Sequence, residues 1–534
     1  MHTFLKATLL TAALAAGAAG QGGAALGQTP TTFSNPVLWA DVPDPDVIRV
    51  GQYFYMVSTT MHLMPGAPVM RSRDLVNWET VSYLFDKLHD TPRYDMEEGT
   101  VYGRGQWATS LRYHKGKFYA LFSPNDAPYR SYIYTSNDPA KGWKLHCRTN
   151  HFHDASLFFD DDDRVYVFSG TGRLTELKAD LTGIKEGGVN TTVVTQDEED
   201  NALLEGSRVI KHNGKYYLLM ISWPKNGKRR QLCYRADRIE GPYEKRIILL
   251  DNFAGFPYVG QGTIVDDAQG NWYGVIFQDR GAVGRVLTLS PCTWTDGWPM
   301  LGNEQGKVPA VMERPVQGEP TQPLVLSDSF DGEMAYEWQW NHNPIDEAYS
   351  LTARKGYLRL KTNKVVGSIY EARNTLTQRM EGPECYGDIK MDISAMRDGD
   401  RAGLAAFNGH SAVLTVVREG NTTDLVLTEE EVELDKKTKA VLGVERQELG
   451  RVPLQGVSTV WLRTRADFRL NRDVARMYYS TDGILWKPLG GDVKLRFDFS
   501  KFFMGTKFGI FNYATKKAGG HVDVDYFEYH HTAY

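Results

Sequence analysis

The sequence has little cysteine and no strong excess of charge of either sign. Its 534 residues include four cysteines (Cys147, Cys233, Cys292 and Cys385), and its net charge is −5. The cysteines are widely spaced, without the close pairs typical of zinc sites; they would allow three full disulfide pairings, and free buried thiols are the simpler interpretation. Because phosphate binding needs a basic field, the slightly negative charge argues against a nucleic-acid partner.

Long hydrophobic runs are also missing from the body of the chain. No apolar stretch there approaches 20 residues, so we expect no membrane span. Residues 1–27 differ: Lys6 is followed by an apolar stretch and then by small residues, with Ala18-Ala19-Gly20 and Ala25-Leu26-Gly27 fitting small-x-small cleavage sites. This pattern is typical of a secretory signal peptide, so we expect a periplasmic or extracellular protein.

Helical periodicity is absent from residues 35–300, where a short unit recurs instead. Its copies are "GQYFYMVSTT" at 51, "KGKFYALFSP" at 115, "DDRVYVFSGT" at 162, "NGKYYLLMIS" at 213 and "QGNWYGVIFQ" at 269. Each copy places turn residues before an aromatic and apolar run, and another apolar segment precedes it. Five such units predict a five-bladed β-propeller over residues 30–302, because a lone blade cannot bury both faces and a ring of blades can. A single large sandwich would not explain five similar hairpins.

A proline-rich stretch separates this region from a second one. Residues 303–323 contain four prolines and no periodic pattern, which predicts a linker. Residues 324–534 then show short apolar and aromatic runs between turn residues, such as "YLRLKT", "VWLRTRAD" and "STDGILW". This pattern predicts a β-sandwich. The predicted fold class is therefore all-β, a five-bladed β-propeller followed by a C-terminal β-sandwich.

Three carboxylates occupy equivalent places in different predicted blades. Asp44, Asp154 and Glu205 each lie two to five residues before the apolar run that begins a blade. Taken singly, each could be an ordinary turn or loop-end residue. Because the inner ends of propeller blades converge, their equivalence favours one shared site. A set of carboxylates around one pocket suits the cleavage of a glycosidic bond, which needs an acid and a base or nucleophile.

Five segments, in order, resemble glycoside hydrolase family 43, and within it a branch of β-xylosidases and α-L-arabinofuranosidases. They are "NPVLWADVPDPDVIRVGQYFYMVST", "GQWATSLRYHKGKFY", "HDASLFFDDDDRVYVF", "LLEGSRVIKHNGKYYLL" and "FQDRGAVGRV". The resemblance implies that Asp44 is the general base and Glu205 the general acid, and that Asp154 orients and tunes that acid. It also implies that Trp107 stacks on a sugar and that Arg285 contacts a sugar hydroxyl.

The resemblance further implies inversion by a single displacement, without a cofactor for catalysis. The two main carboxyls should then be about 6.5–9.5 Å apart, which leaves room for a water molecule. Three positions depart from the commonest family pattern: Asp46 stands where Ser is frequent, Thr109 where Pro is frequent, and Gly260 where a His helps to hold a central ion or water. The last departure puts a central metal in doubt. Asp41 and Asp46 are expected to shape the turn around Asp44.

The second region resembles the lectin-like, concanavalin A-like module often joined to this propeller. Asp328 in "LSDSFDG" and Asp525 in "HVDVDYFEY" could meet and bind a structural calcium, and two surface turn aspartates are the alternative. In relatives an aromatic residue from this module closes the propeller pocket. We expect this closing aromatic residue to lie within "FGIFNYATKKAGG", residues 508–520.

The expected function is that of a secreted, inverting exo-glycosidase that releases xylose or arabinose from hemicellulose-derived oligosaccharides. A β-D-xylosidase is favoured, with an α-L-arabinofuranosidase as the alternative. An endo-arabinanase on the same propeller and a carbohydrate-binding protein without catalysis remain open as well. The intact carboxylate trio argues against a binding protein, and a sandwich that walls the pocket would favour exo-action.

Overall fold

The computed structural model describes residues 31–257, 259–316 and 320–532, so the predicted signal peptide lies outside the described residues. Within these ranges the regular elements are strands and four short 3-10 helices, Pro92–Asp95, Gly281–Val283, Asp346–Ala348 and Ile369–Glu371. No described helix is long and apolar enough to cross a membrane. The predicted all-β class, a five-bladed propeller followed by a sandwich, is confirmed.

Each blade is a four-stranded antiparallel sheet whose first strand is innermost. Blade 1 contains Asp46–Val50, Tyr53–Val57, Gly66–Ser72 and Glu79–Phe85; blade 2 contains Gln106–His114, Lys117–Pro124, Arg130–Ser136 and Lys144–Asn150. Blade 3 contains Ser156–Phe159, Val165–Ser169, Arg173–Leu177 and Asn190–Thr192. Blade 4 contains Leu203–His212, Lys215–Trp223, Arg230–Ala236 and Glu244–Leu249; blade 5 contains Val259–Asp266, Trp272–Asp279, Arg285–Thr295 and Trp298–Leu301.

The hydrophobic interior of the propeller consists of five separate clusters, one between each pair of neighbouring blades. Between blades 2 and 3, for example, Leu121 and Ile133 pack against Leu157 and Val165. Alternate residues of each strand point to opposite faces, so every blade contributes to two clusters. This explains why the recurring aromatic and apolar runs come in five copies: each blade is stable only when both faces are covered.

The ring is closed by the segment that precedes blade 1. Leu38 pairs with Leu287 of blade 5, and the Val42 N–H donates to the Arg285 carbonyl at 2.8 Å. Thr32–Ser34 also pairs with Val311–Glu313, so part of the predicted linker forms a strand. Closure therefore fixes the short stretch that carries Asp44 against the last blade.

The C-terminal region is a sandwich of two antiparallel sheets. The eight-stranded sheet has the order Val441–Pro453, Thr422–Leu434, His410–Glu419, Asp400–Phe407, Lys507–Ala514, Leu376–Arg379, Gln339–Asn341 and Leu63–Met64. The seven-stranded sheet has the order Tyr349–Ser350, Leu358–Lys361, His521–Thr532, Glu384–Asp392, Thr459–Asp467, Val474–Ser480 and Lys487–Lys494. The last strand of the eight-stranded sheet, Leu63–Met64, comes from the propeller region and joins the two domains.

The interface between the domains is largely buried and apolar. Met61 and Tyr102 of the propeller pack with Tyr370, Phe407 and Phe502 of the sandwich in one cluster. The Tyr102 ring stacks on Phe502 with 4.1 Å between centroids. An interface of this kind holds the two domains in one arrangement. All four cysteines are free, three of them buried and Cys147 half-buried.

Candidate active site

Asp44 lies at the inner end of blade 1, two residues before its first strand. Its backbone is left-handed, with φ 52°, a conformation that Asp adopts more readily than most residues. The side chain is nearly buried: Oδ2 accepts a hydrogen bond from the Thr59 hydroxyl at 2.6 Å, and Oδ1 lies 3.4 Å from Arg285 Nη1. These two contacts hold the carboxylate in one position.

The two neighbouring aspartates have structural roles. Asp41 accepts hydrogen bonds from the backbone N–H groups of Arg285 and Gly505, at 2.9 and 2.8 Å, and lies 3.3 Å from Lys507 Nζ. Burial opposes its charge, but these partners outweigh burial and lower the pKa of Asp41. On Lys507 burial is the larger effect, and it lowers the pKa to about 8 despite Asp41. The three contacts to the Asp41 carboxylate are direct, and with a pKa of about 8 Lys507 still carries its charge at neutral pH, so the pair is ionised.

Asp46 links neighbouring blades at the centre of the ring. It does so together with Arg208, a residue that the sequence analysis did not predict for the site. Asp46 Oδ2 accepts from the Leu111 N–H and from Arg112, and Oδ1 lies 3.5 Å from Arg208 Nε. Arg208 is 1% exposed, and its Nη2 donates to the carbonyl of Asp44 at 3.0 Å and of Thr109 at 3.3 Å. A buried guanidinium thus supports the backbone of Asp44 from within the ring.

Asp154 repeats the geometry of Asp44 in blade 3. It also lies two residues before its strand and has a left-handed backbone, with φ 45°. Its side chain is 6% exposed. Burial and the neighbouring Glu205 carboxylate raise the pKa of Asp154 to about 7. In the free protein, Asp154 therefore holds a proton over much of the range below neutrality.

Glu205 reaches the site through a β-bulge. The pairing register of blade 4 shifts between Glu205 and Arg208, and bulges re-aim side chains next to active sites. Gly206, inside the bulge, has φ +76°, and a Cβ there would lie 2.9 Å from the side chain of Gln261. Blades 2 and 5 carry the same register shift, at residues 106–109 and 259–262. Three blades thus use bulges to present Trp107, Glu205 and Gln261.

His153 is a second residue that the sequence prediction missed. Its Nε2 lies 3.0 Å from Glu205 Oε2 and 3.9 Å from Asp154 Oδ2. The hydrogen bond to Glu205 raises the pKa of His153 to about 9, so the imidazole is protonated at neutral pH. Its ring is also tilted towards Trp107, with 5.8 Å between centroids. The sequence offered one signal for His153, namely that it directly precedes Asp154, because neighbours of a site residue often reach the same pocket.

All five predicted propeller residues line one cavity of about 510 Å³: Asp44, Trp107, Asp154, Glu205 and Arg285. The floor and sides come from the propeller, and one wall comes from the sandwich.

That wall is formed by phenylalanines 497, 499 and 503. Phe503 contacts Arg285 twice, since its carbonyl accepts from Nη2 at 3.1 Å and its ring lies 4.5 Å from Cζ. The expectation that residues 508–520 supply the closing aromatic is therefore wrong. Lys507–Ala514 is a fully buried strand of the sandwich, and its apolar residues fill the domain core.

The predicted calcium ligands do not form a shared site. The Asp328 carboxylate accepts hydrogen bonds from the Phe330 N–H and the Trp338 indole, at 2.8 and 2.9 Å. Asp525 pairs instead with Lys390 at 2.8 Å. Each carboxylate thus has partners of its own, and among the described residues neither belongs to a cluster of three or more side chains that could hold a metal ion.

Elsewhere among the described residues, Asp197, Glu199 and Asp200 form a cluster, but Lys245 Nζ lies within 3.3 Å of all three, and Arg230 Nη2 lies 2.7 Å from Asp200. At Gly260, one of the three positions that depart from the expected family pattern, an added Cβ would lie 3.0 Å from Ile221 Cδ1, so the backbone is already packed against blade 4.

Comparison with known proteins agrees with this geometry. The profile of "Glycosyl hydrolases family 43" matches residues 33–299, and that of "Beta xylosidase C-terminal Concanavalin A-like domain" matches residues 327–530. A putative beta-xylosidase of Xylanibacter ruminicola is 32% identical over 86% of this chain and 82% of its own. The non-reducing end alpha-L-arabinofuranosidase BoGH43B of Bacteroides ovatus is 26% identical over 74% of this chain and 78% of its own.

Among solved structures, the bifunctional GH43-CE chain of Bacteroides eggerthii superimposes with a TM-score of 0.86 at 39% identity. The match covers 95% of this chain, which spans 64% of the length of that bifunctional one. The matched profiles cover both domains described above. The chain is a member of glycoside hydrolase family 43, with a C-terminal concanavalin A-like domain, and is a hydrolase of glycosidic bonds.

Proposed function

We propose that the protein is a secreted, inverting exo-glycosidase that releases terminal xylose from hemicellulose-derived oligosaccharides, that is, a β-D-xylosidase. The observation that carries the proposal is the cavity in which Asp44, Asp154 and Glu205 meet beside phenylalanines of the sandwich. A pocket with such a wall suits the end of a sugar chain, whereas an endo-acting enzyme needs a cleft along which a chain can pass. Secretion rests on the sequence pattern of residues 1–27 alone.

Glu205 is the proposed general acid. Its side chain is 29% exposed and faces the cavity, while Asp154 beside it is almost completely buried. His153 and, up to about neutrality, Asp154 each hold a proton, and both lie within 4.8 Å of Glu205, so either can supply the proton that Glu205 needs as an acid. The proton then passes from Glu205 to the oxygen of the leaving group.

Asp44 is the proposed general base. The Thr59 hydroxyl and Arg285 hold its carboxylate in place, and Arg208 holds its backbone. It accepts a proton from a water molecule that attacks the sugar from the side opposite the leaving group. Attack from that side inverts the anomeric configuration.

The remaining lining residues suit a small sugar. Trp107 offers an aromatic face to a sugar ring. Arg285, whose Nη1 lies 3.4 Å from Asp44 Oδ1, offers N–H donors to sugar hydroxyl groups. No cofactor is needed for this chemistry, because the two carboxyls supply both proton transfers.

An α-L-arabinofuranosidase is the second candidate, since the relatives include enzymes of both names. The same trio serves either pentose. An endo-arabinanase is disfavoured by the sandwich wall, and a protein that only binds carbohydrate would have no use for the three carboxylates.

The test is a panel of p-nitrophenyl pentosides with the purified protein, followed by NMR of the first sugar formed from an oligosaccharide. We expect faster hydrolysis of the β-D-xyloside than of the α-L-arabinofuranoside, and an inverted anomer. The reverse preference would establish the second candidate. Net retention would contradict the assignment of Asp44 as a base, and internal cleavage without release of a monosaccharide would contradict exo-action.

A further inference from the structure

A second, open cavity of about 480 Å³ lies over blade 3, next to the active-site cavity. The lining includes His151, His153, Thr171, Arg173 and Gln196. None of its lining residues is acidic. We call this cavity the blade 3 groove.

The direction of the strands places the groove on the same face as the catalytic carboxyls. Ser156–Phe159 runs away from Asp154, and Val165–Ser169 returns antiparallel to it, so the turn before Arg173 lies beside the site. A hydrogen bond of 2.7 Å from the Gly170 N–H to the His153 carbonyl ties this turn to the segment that carries the site residues.

The floor of the groove is tightly built. Gly172 lies against Val194, where an added Cβ would be 2.5 Å from the Val194 carbonyl oxygen. The Val193 N–H donates to the Gly172 carbonyl at 2.9 Å. The groove therefore has a fixed shape next to Arg173.

His153 connects the groove to the reaction. It lines the groove and lies 3.0 Å from Glu205, which lines the active-site cavity. In glycoside hydrolysis the acid protonates the bridging oxygen, so the leaving chain begins at the acid. A leaving chain that starts at Glu205 and passes His153 enters the blade 3 groove.

Arg173 gives the groove its charge. The residue is exposed, and its Nε donates to the Asn190 side-chain oxygen at 3.0 Å, so its described partner is a neutral amide. Among the residues that the structure describes, no carboxylate forms an ion pair with it. An arginine held by an amide keeps its charge available for a carboxylate, which it can bind with two parallel hydrogen bonds.

We infer that the blade 3 groove binds the leaving-group chain of the substrate and that Arg173 pairs with a carboxylate on that chain, a uronic acid substituent. This inference rests on the proposed function, because it takes Glu205 as the acid. It extends that function to a substrate class: acidic, branched pentose oligosaccharides rather than neutral linear ones.

The experiment compares three xylosides: an aryl xyloside, a neutral xylotriose, and a xylotriose that carries a glucuronic acid on a leaving-group sugar. Arg173→Gln should lower kcat/KM for the acidic substrate about three- to tenfold, the range of an exposed to partly buried Arg–carboxylate pair. The other two substrates should change less than twofold, and Arg173→Lys should recover part of the loss. Arg164→Gln is the matched control, because Arg164 is an arginine at the opposite end of blade 3, paired with Asp162.

Equal losses on the neutral and acidic trisaccharides would overturn the role of the carboxylate, and no loss on either would overturn the groove as a binding site. Titration of the acidic trisaccharide into Glu205→Ala and into the double variant with Arg173→Gln measures binding without turnover. If the wild-type protein hydrolyses none of the xylosides, the proposed function fails, and this titration still decides the inference about Arg173.

Discussion

Lys507 of the sandwich forms a buried ion pair with Asp41 of the propeller, with 3.3 Å between Nζ and Oδ2. The other carboxylate oxygen of Asp41 accepts the backbone N–H of Arg285, which in turn contacts Asp44. Three successive contacts thus link Lys507 of the second domain to the proposed base. The sandwich is part of the active site as well as a wall of its cavity.

Replacing Lys507 with Met should destabilise the protein strongly, because it leaves Asp41 buried without its cation. Removing one partner of a buried ion pair typically costs about 3–5 kcal/mol. The measurement is the thermal midpoint of unfolding, together with kcat/KM on a pentoside. Lys516→Met is the control, since Lys516 pairs with Asp398 on the exposed surface, where loss of a pair has little effect. A variant as stable as the wild type would show that the pair does not hold the domains together.

Glu205→Ala and Asp44→Ala should differ in how they depend on the leaving group. Each acid or base contribution is typically worth about 10²–10⁴-fold. Loss of Glu205 should be severe for natural glycosides and mild for an aryl glycoside with an acidic phenol, which can leave without a proton. Loss of Asp44 should depress both substrates similarly, because both need an activated water. The measurement is kcat/KM for the two substrates, and the opposite pattern would reverse the two roles.

Asp154→Asn should stabilise the protein while it impairs activity. Burial raises the pKa of this carboxyl to about 7 from an ordinary value of 3.8. Between these pH values the folded state binds more protons than the unfolded state, so this residue makes the folded state less stable as the pH rises. The variant should therefore gain stability over the wild type, little at pH 4 and on the order of 1–3 kcal/mol at pH 8.

The measurement for this variant is the thermal midpoint of unfolding across pH 4–8. Asp162→Asn, on an exposed turn of the same blade, should give a small difference that does not grow with pH. A loss of stability in Asp154→Asn at pH 8 would mean that the ionised carboxylate is stabilising where it lies.

Phe503→Ala should weaken substrate binding more than it affects folding. The ring lines the active-site cavity, whereas the Phe503 carbonyl that accepts from Arg285 remains in the variant. Loss of an apolar side chain that a bound sugar covers costs about 1–2 kcal/mol of binding, so we expect KM to rise roughly five- to thirtyfold. Tyr336→Ala, at an exposed aromatic residue outside the active-site cavity, should leave KM unchanged. An unchanged KM in Phe503→Ala would mean that the wall does not contact the sugar.

The recurring turn and aromatic runs were enough to predict the propeller and its five blades, because each run is a local pattern that does not depend on distant residues. The sequence also showed that Asp44, Asp154 and Glu205 occupy equivalent positions before those runs. What the pattern could not show is how each reaches the cavity: the aspartates through left-handed backbone and Glu205 through a bulge. Both are single-residue deviations that leave no periodic signal.

Contacts between distant parts of the chain could not be predicted from the sequence. Arg208 touches the backbones of two other blades, and His153 reaches Glu205 across a blade boundary. The prediction for the closing aromatic was wrong because "FGIFNY" is an apolar run that is buried in the sandwich, while Phe503 lies in a loop.

The sequence by itself determined the fold class, the family and the carboxylates, since local turn chemistry and short motifs specify each of them. Only the tertiary structure decided which sandwich residues face the cavity and which groups surround each carboxyl. Those features depend on how the ring closes and how the two domains dock. Docking buries surfaces from segments hundreds of residues apart, such as Asp41 and Lys507, and no local pattern records that pairing.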